Sequence, residues 1–246
     1  MSLRPVQVNV KAGDDSALGR FWAEALGWDV SSEAPGVTNL EPKGFSWPDP
    51  AAFYIDFVIV PDPETVQYRV RVDLATTSAA HHAELVARLT ELGATPADAG
   101  RGDVPWTPLA DPEGNVFGVL EPSEVYRDAG PIARIVVESE DPRALARFWG
   151  EAIGWAAYEE TDDRVALRSP KGTGPHLEFH RPAPGAKPIR TRVHLDLLPE
   201  PFDEQAAQVA RLKTLGATPA DVGQGDVPWI VLADPEGNEF CVLGRH

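Results

Sequence analysis

A chain of 246 residues with 43% hydrophobic side chains has room for one large or two small domains and can bury a core. Its formal charge of −16 argues against nucleic acid and anionic membranes as partners, because both are polyanions. The single cysteine, Cys241, excludes an intrachain disulfide, no apolar run approaches the ~20 residues of a membrane span, and the start of the chain has no signal-peptide core, so a cytoplasmic location is expected.

Val6, Val8 and Val10 alternate with Gln7 and Asn9, which predicts a strand with one apolar face. Asp14 to Ser16 supply a helix N-cap, and Leu18, Phe21, Trp22, Ala25 and Leu26 form one apolar stripe that stops at Gly27. The Phe-Trp pair sits inside that stripe, so it reads as core packing rather than as an aromatic binding box. Short strands follow in VTNLEP and FYIDFVIV. A second block opens with YRVRVDLA, continues into a helix with Val86, Leu89 and Leu92 inward, and closes in a hairpin that carries ADPEGN, residues 110–115. In that hexapeptide Asp, Pro and Gly stand at the first, second and fourth positions of a type I turn.

The same order then repeats. LGATPADAGRGDVPWTPLADPEGN (92–115) and LGATPADVGQGDVPWIVLADPEGN (215–238) agree at 20 of 24 positions, and FWAEALGW (21–28) returns as FWGEAIGW (148–155). A repeat of this length is a duplicated domain rather than a solenoid unit. The expected division is a first domain over 1–122, a linker over 123–130 and a second domain over 131–246. Trp47 lies in GFSWPDPAA, which the second half lacks, and is a candidate lid residue.

With ESEDPRALARFWGEAIGW, RVHLDL and LADPEGNEFCVL, and their first-half counterparts, the chain resembles the vicinal oxygen chelate superfamily in its glyoxalase-like, bleomycin-resistance branch. The resemblance implies an α+β fold of four βαβββ modules that form two glyoxalase-like domains with curved mixed sheets and two clefts. In that superfamily a divalent metal takes ligands from the first, fourth, fifth and last strands of a cleft. Carried over half by half, these positions fall at Gln7, Asp56, Arg71 and Gly118, then at Arg134, Glu178, His194 and Cys241. Alternation along the strands adds Asp73 to the first set and His176, His180 and Asp196 to the second. Trp106 and Trp229, at the ends of the GDVPW segments, are candidate stacking residues at the cleft mouths.

Arg71 is a permanent cation at a ligand position, so the first set reads as an Asp56–Arg71 pair or a clamp for a polar ligand. The second set is richer. Glu178, His194 and Cys241 offer O, N and S donors to Zn²⁺, with Mn, Ni or Fe as further candidates, but Arg134 opposes a metal there. The resulting expectation is a small-molecule-binding protein without a metal, its aromatic or polyoxygenated organic ligand lodged in the second-domain cleft. Two alternatives stand beside it: a metal-dependent lyase, isomerase or dioxygenase, and a metal-free enzyme that uses His194 with Glu178 for acid–base work. Whether modules pair within each half or across the halves is open. So is the choice between a monomer with pseudo-dimeric halves and a homodimer.

Overall fold

The computed structural model describes residues 3–45, 53–61, 69–98, 104–182, 192–200, 203–223 and 225–244. The Trp47 insert lies outside the described residues. The chain folds as four consecutive βαβββ modules. The first holds β1 (Leu3–Ala12), α1 (Asp15–Leu26), β2 (Asp29–Ala34), β3 (Val37–Glu41) and β4 (Tyr54–Ile59). The second holds β5 (Val70–Leu74), α2 (Ala79–Glu91), β6 (Thr95–Pro96), β7 (Trp106–Ala110) and β8 (Val116–Leu120). The third holds β9 (Ile132–Glu138), α3 (Pro142–Ile153), β10 (Ala156–Glu160), β11 (Arg164–Arg168) and β12 (His176–His180). The fourth holds β13 (Val193–Pro199), α4 (Gln205–Leu215), β14 (Thr218–Pro219), β15 (Ile230–Ala233) and β16 (Glu239–Val242).

The modules pair across the two halves. One sheet runs β14-β15-β16-β13-β1-β4-β3-β2 and joins the first module to the fourth. The other runs β10-β11-β12-β9-β5-β8-β7-β6 and joins the third to the second. The seams are antiparallel: β1 on β13, with Gln7 opposite Asp196 and Asn9 opposite His194, and β5 on β9, with Asp73 opposite Arg134. The repeat unit in the sequence is therefore not the unit of the sheet. The first sheet encloses the second in chain order.

Helix ends follow local chemistry. Asp14 caps α1 by accepting from Ala17 N at 2.9 Å, and Asp141 caps α3 by accepting from Ala144 N at 3.0 Å. Gly27 and Gly154 close these helices at φ 67° and 70°, a conformation that favours glycine. The apolar faces of both sheets and the helices share one core. Phe21 and Trp22 are buried there, and the Trp22 ring meets Phe117 of the other sheet edge-on at 5.0 Å. Trp149 meets Phe240 in the same way at 5.2 Å. The Phe-Trp pairs are core, as their spacing predicts.

ADPEGN forms the expected turn and also braces the two sheets. Asp111 Oδ1 accepts from Glu113 N and Asn115 N, while Oδ2 accepts from Trp22 Nε1 at 3.1 Å. The Glu113 carboxylate accepts from Gly13 N and Asp14 N, the chain entering α1. Arg192, just before β13, donates to Asn115 Oδ1 at 3.0 Å and pairs with Glu113 at 3.3 Å. The second copy repeats this with Trp149 on Asp234, Glu236 on the Asp141 N–H, and Arg69 on the Glu236 carbonyl. Each hairpin thus grips a helix and a strand entry of the other sheet. Trp149→Phe keeps the ring and deletes one buried donor. The expected cost is about 1–2 kcal/mol, read as a lower urea midpoint with an unchanged slope.

Candidate functional site

The candidate side chains come from the sheet faces turned away from the helices. In β1, Val8 and Val10 enter the core, which leaves Gln7 and Asn9 on the opposite face. In β13, Val193, Leu195 and Leu197 are core and leave His194 and Asp196 opposite. The same parity frees Asp56 between Ile55 and Phe57, and Cys241 between Phe240 and Val242. Cross-pairing therefore assembles Gln7, Asp56, His194, Asp196 and Cys241 on one sheet. The other sheet receives Arg71, Asp73, Arg134, His176, Glu178 and His180.

Neither cleft has the composition drawn half by half from the sequence. Asp56 does not pair with Arg71, because the two lie in different sheets; Arg71 instead donates to Asp73 Oδ1 at 3.1 Å. Glu178 does not join His194 and Cys241 as a ligand set, for the same reason. No cleft is built from the second half alone.

The sheet centred on β5 and β9 satisfies its own charges. Arg134 Nε donates to Asp73 at 2.7 Å and its Nη1 donates to Glu178 at 3.1 Å. Glu178 also accepts from Arg164 at 3.1 Å and from the Tyr126 hydroxyl at 2.7 Å, and it meets His180 Nε2 at 2.8 Å. Burial alone would raise the proton affinity of Glu178. The His180 hydrogen bond and the Arg134 and Arg164 charges outweigh it and hold the carboxyl well below its usual range. Asp73 is likewise held low, with Arg71 and Arg134 overcoming its burial. His176 bonds the Tyr158 hydroxyl at 2.8 Å and is pushed down to about 4, mainly by burial. The Arg71 guanidinium lies over the Trp106 ring, 4.9 Å from its centroid. Gly118 fills the last-strand position for a steric reason. A Cβ there would lie 2.6 Å from Asp73 Oδ1 and 2.7 Å from the Trp106 ring, so no ligating side chain fits.

Three members of this network were not singled out in the sequence. Tyr126 arrives from a short 3-10 turn, Glu124–Tyr126, in the segment read as a linker, where no periodicity marks it. Tyr158 comes from the exposed edge strand β10. Arg164 was detectable, since it alternates with Val165 and Leu167 and so shares a face with Glu178.

The sheet centred on β1 and β13 differs. His194, Asp196 and Cys241 hold donor atoms within 4.8 Å of one another. Cys241 Sγ lies 3.6 Å from His194 Nε2. Asp196, only 4% exposed, keeps Oδ1 buried with no hydrogen-bond partner, 3.4 Å from the same Nε2. Gln7 Nε2 donates to Asp56 Oδ2. Burial raises Asp56 to about 6; the Asn39 hydrogen bond opposes this, and the Asp196 and Glu41 charges add to it. Burial, then Asp196, pushes the Cys241 thiol up as well. Among the described residues no lysine or arginine is paired with Asp56 or Asp196. A cavity of about 510 Å³ adjoins this cluster, lined by Gln7, Asp56 and residues of β2, β3 and β4. Trp229, 38% exposed, precedes β15 of the same sheet.

A two-module sheet with ligand-type side chains on its helix-free face is the architecture of glyoxalase-like proteins, and the sequence matches the glyoxalase-like domain family over residues 7–120 and again over 134–243. The chain belongs to that family. Among solved structures it is similar to glyoxalase I from Zea mays, at 14% identity and a TM-score of 0.64, covering 99% of this chain and 92% of that one. A variant of the same maize protein gives 15% identity and 0.67, over 98% and 93%. A putative dioxygenase from Bacillus subtilis gives 14% and 0.64, over 98% and 84%. At such identities the likeness is one of fold. No curated protein matches the chain.

Glu178 sets a pH test. Its folded proton affinity is depressed, so its stabilisation is complete above its ordinary value of 4.5 and is lost as pH falls below it. Glu178→Gln should cost about 2–4 kcal/mol at pH 7, because the buried Arg134 and the partly buried Arg164 each lose one of their two carboxylates. Urea unfolding of both proteins should show the gap shrinking steadily from pH 5 to pH 3.

Proposed function

We propose that the chain binds a divalent metal ion in the β1–β13 cleft, at His194, Asp196 and Cys241 with Gln7 and Asp56 beside them, and applies it to a small organic ligand in the adjoining cavity. The observation that carries this reading is Asp196 Oδ1, a buried carboxylate oxygen without a partner in a cluster of metal-type donors. With only an imidazole and a thiol beside it, this buried carboxyl gains from a bound cation. The β5–β9 sheet is an internal comparison: at matching positions it meets two buried carboxylates with arginines. Here the chain supplies two carboxylates and no arginine or lysine paired to them among the described residues.

The donor chemistry fits Zn²⁺ best, since imidazole nitrogen, thiolate sulfur and carboxylate oxygen all suit that ion. When bound, such an ion polarises oxygen atoms of a ligand as a Lewis acid. The chain's own residues have separable tasks. Gln7 holds one oxygen of Asp56 through its amide N–H and so fixes how that carboxyl faces the cleft. Asp56, with its proton affinity raised to about 6, can keep or release a proton at Oδ near neutral pH. His194 stands between Asp196 and Cys241, 3.4 and 3.6 Å from them, and sets the spacing of the cluster. Burial of Cys241 and Asp196 keeps bulk water from the inner side of the cluster.

The test is metal uptake. Protein dialysed against Zn²⁺, Mn²⁺, Ni²⁺ or Fe²⁺ should retain about one equivalent of metal per chain, with Zn²⁺ the tightest. His194→Ala and Asp196→Asn should weaken retention at least 100-fold, on the order of the effect of losing a supporting group or more. Glu178→Gln should leave it unchanged, because Glu178 belongs to the other sheet. Absence of uptake by the native chain would return the protein to metal-free binding and sequestration.

A further inference from the structure

The network that saturates Asp73 and Glu178 does not use all of its own donors. Arg134 bonds Asp73, Glu178 and the Tyr126 hydroxyl. Arg164 reaches Glu178, Glu159 and the same hydroxyl. Arg71 makes a single hydrogen bond, from Nε to Asp73 Oδ1 at 3.1 Å, and it shares that carboxylate with Arg134. We infer that the outer edge of Arg71, its Nη1 and Nη2, is a binding site for a small organic carboxylate in the β5–β9 cleft. The inference goes beyond the metal reading of the β1–β13 cleft and does not depend on it.

Three observations support it. The first is the state of the two terminal nitrogens. Among the described residues neither has a hydrogen-bond partner. Neither is sealed from solvent, as the unpartnered Arg164 Nε is. Both are therefore open to the cleft. A guanidinium presents its N–H groups in a planar fork that matches the two oxygens of a carboxylate. With Nε engaged at Asp73, the edge formed by Nη1 and Nη2 is the one left to receive such a pair.

The second observation is how firmly the fork is held. The guanidinium lies over the Trp106 ring, and Asp73, which pins Nε, is wholly buried and is itself fixed by Arg134. Gly118 leaves the space that the indole fills. The Arg71 side chain is only 11% exposed. Ordering a long side chain is one of the costs of binding, and here it is met by folding. Lysine at this position would keep the charge and lose both the fork and the stacking.

The third observation is the direction of the field. Burial lowers the proton affinity of His180, Glu178 opposes that, and the charges of Arg134 and Arg71 lower it further. Arg71 therefore acts across β9 toward β12. Val136 stands opposite both Arg71 and Glu178, so a full strand separates a carboxylate at the fork from Glu178. A planar fork with two buried carboxylates nearby favours a planar monoanion over a tetrahedral dianion. The other sheet has His194 at the position of Arg71, so the site belongs to one cleft alone.

The test uses the full chain stripped of metal by a chelator, at constant ionic strength. Benzoate and the uncharged benzamide are titrated in turn and followed through the tryptophan indole N–H signals, with Trp106 assigned by Trp106→Phe. Benzoate should shift the Trp106 signal, leave Trp229 unmoved and bind with a Kd of about 1 mM or tighter. Benzamide should bind at least about 10-fold more weakly. Arg71→Lys should weaken benzoate at least about 5-fold, and Arg71→Gln should abolish its binding. Arg143→Gln, which removes an exposed arginine of α3, should leave binding unchanged. Equal binding of benzoate and benzamide, undiminished benzoate affinity in Arg71→Gln, a shift confined to Trp229, or tighter binding of inorganic phosphate than of benzoate would overturn the inference. So would an unmoved Trp106 signal at about 50 mM benzoate. The benzoate–benzamide comparison is made on the native chain and needs no variant to fold. Because it is read without metal, a failure of Zn²⁺ uptake leaves it standing and removes only the metal reading.

Discussion

The antiparallel seam between β1 and β13 is the constraint on which the rest depends. It sets Gln7 opposite Asp196 and brings the last strand of the chain within reach of the first. Apolar alternation along either strand would be satisfied by several partners, since any neighbour that buries the valine face suffices. The partner is fixed instead by what surrounds the seam. Arg192 enters β13 with its guanidinium on Asn115 and Glu113 of the ADPEGN hairpin, while Glu113 holds the chain as it leaves β1. One hairpin of the second sheet thereby grips both strands of the first sheet's seam, and the second copy grips the other seam in the same way.

That arrangement gives the duplicated sequence two unlike sites. At matching positions one sheet carries arginines and a glycine, and the other carries an imidazole, a thiol and two carboxylates without paired arginines. The first is a closed charge network: Arg134 bridges Asp73 and Glu178, Arg71 and Arg164 add a second cation to each, and the Trp106 ring occupies the space that a ligating side chain would need. The second keeps a buried oxygen unpartnered and a cavity beside it. One copy of the architecture satisfies its buried charges internally, while the other leaves its donor groups without such closure.

The fold was legible in the sequence to an unusual depth, because a repeat doubles every signal. Strand parity, the Asp caps and the Phe-Trp stripe each occur twice, and each appears in the structure at the expected residues. Candidate side chains were legible too, as polar residues that interrupt apolar strands. Their grouping was not. Arg134 stood out as an obstacle to a metal at Glu178, and the two residues do bond. Their shared neighbour Asp73 comes from the other half, and sheet order is a non-local property that no window of sequence contains. Tyr126 escaped notice because a turn residue in an apparent linker follows no period. Asn39, which bonds Asp56 from the neighbouring strand β3, had no signal beyond being polar on a strand.

The nesting of one sheet inside the other in chain order has a temporal side. Residues 70–180 contain every strand of the β5–β9 sheet, so that sheet can form from a contiguous stretch as the chain is made. The β1–β13 sheet must wait, since its strands come from the opening and closing quarters of the sequence. Closing so long a loop adds little free-energy cost, because that cost grows only with the logarithm of length, but it slows the search. During synthesis the first module therefore stands with its β1 edge unpaired while more than a hundred residues emerge, and an unpaired edge invites pairing with another chain. The glutamate of the first ADPEGN hairpin is made well before β13, and it can hold the start of α1 in place during that interval. The site with an unsatisfied carboxylate is thus the last part of the molecule to exist, completed only after the sheet that braces it is already built.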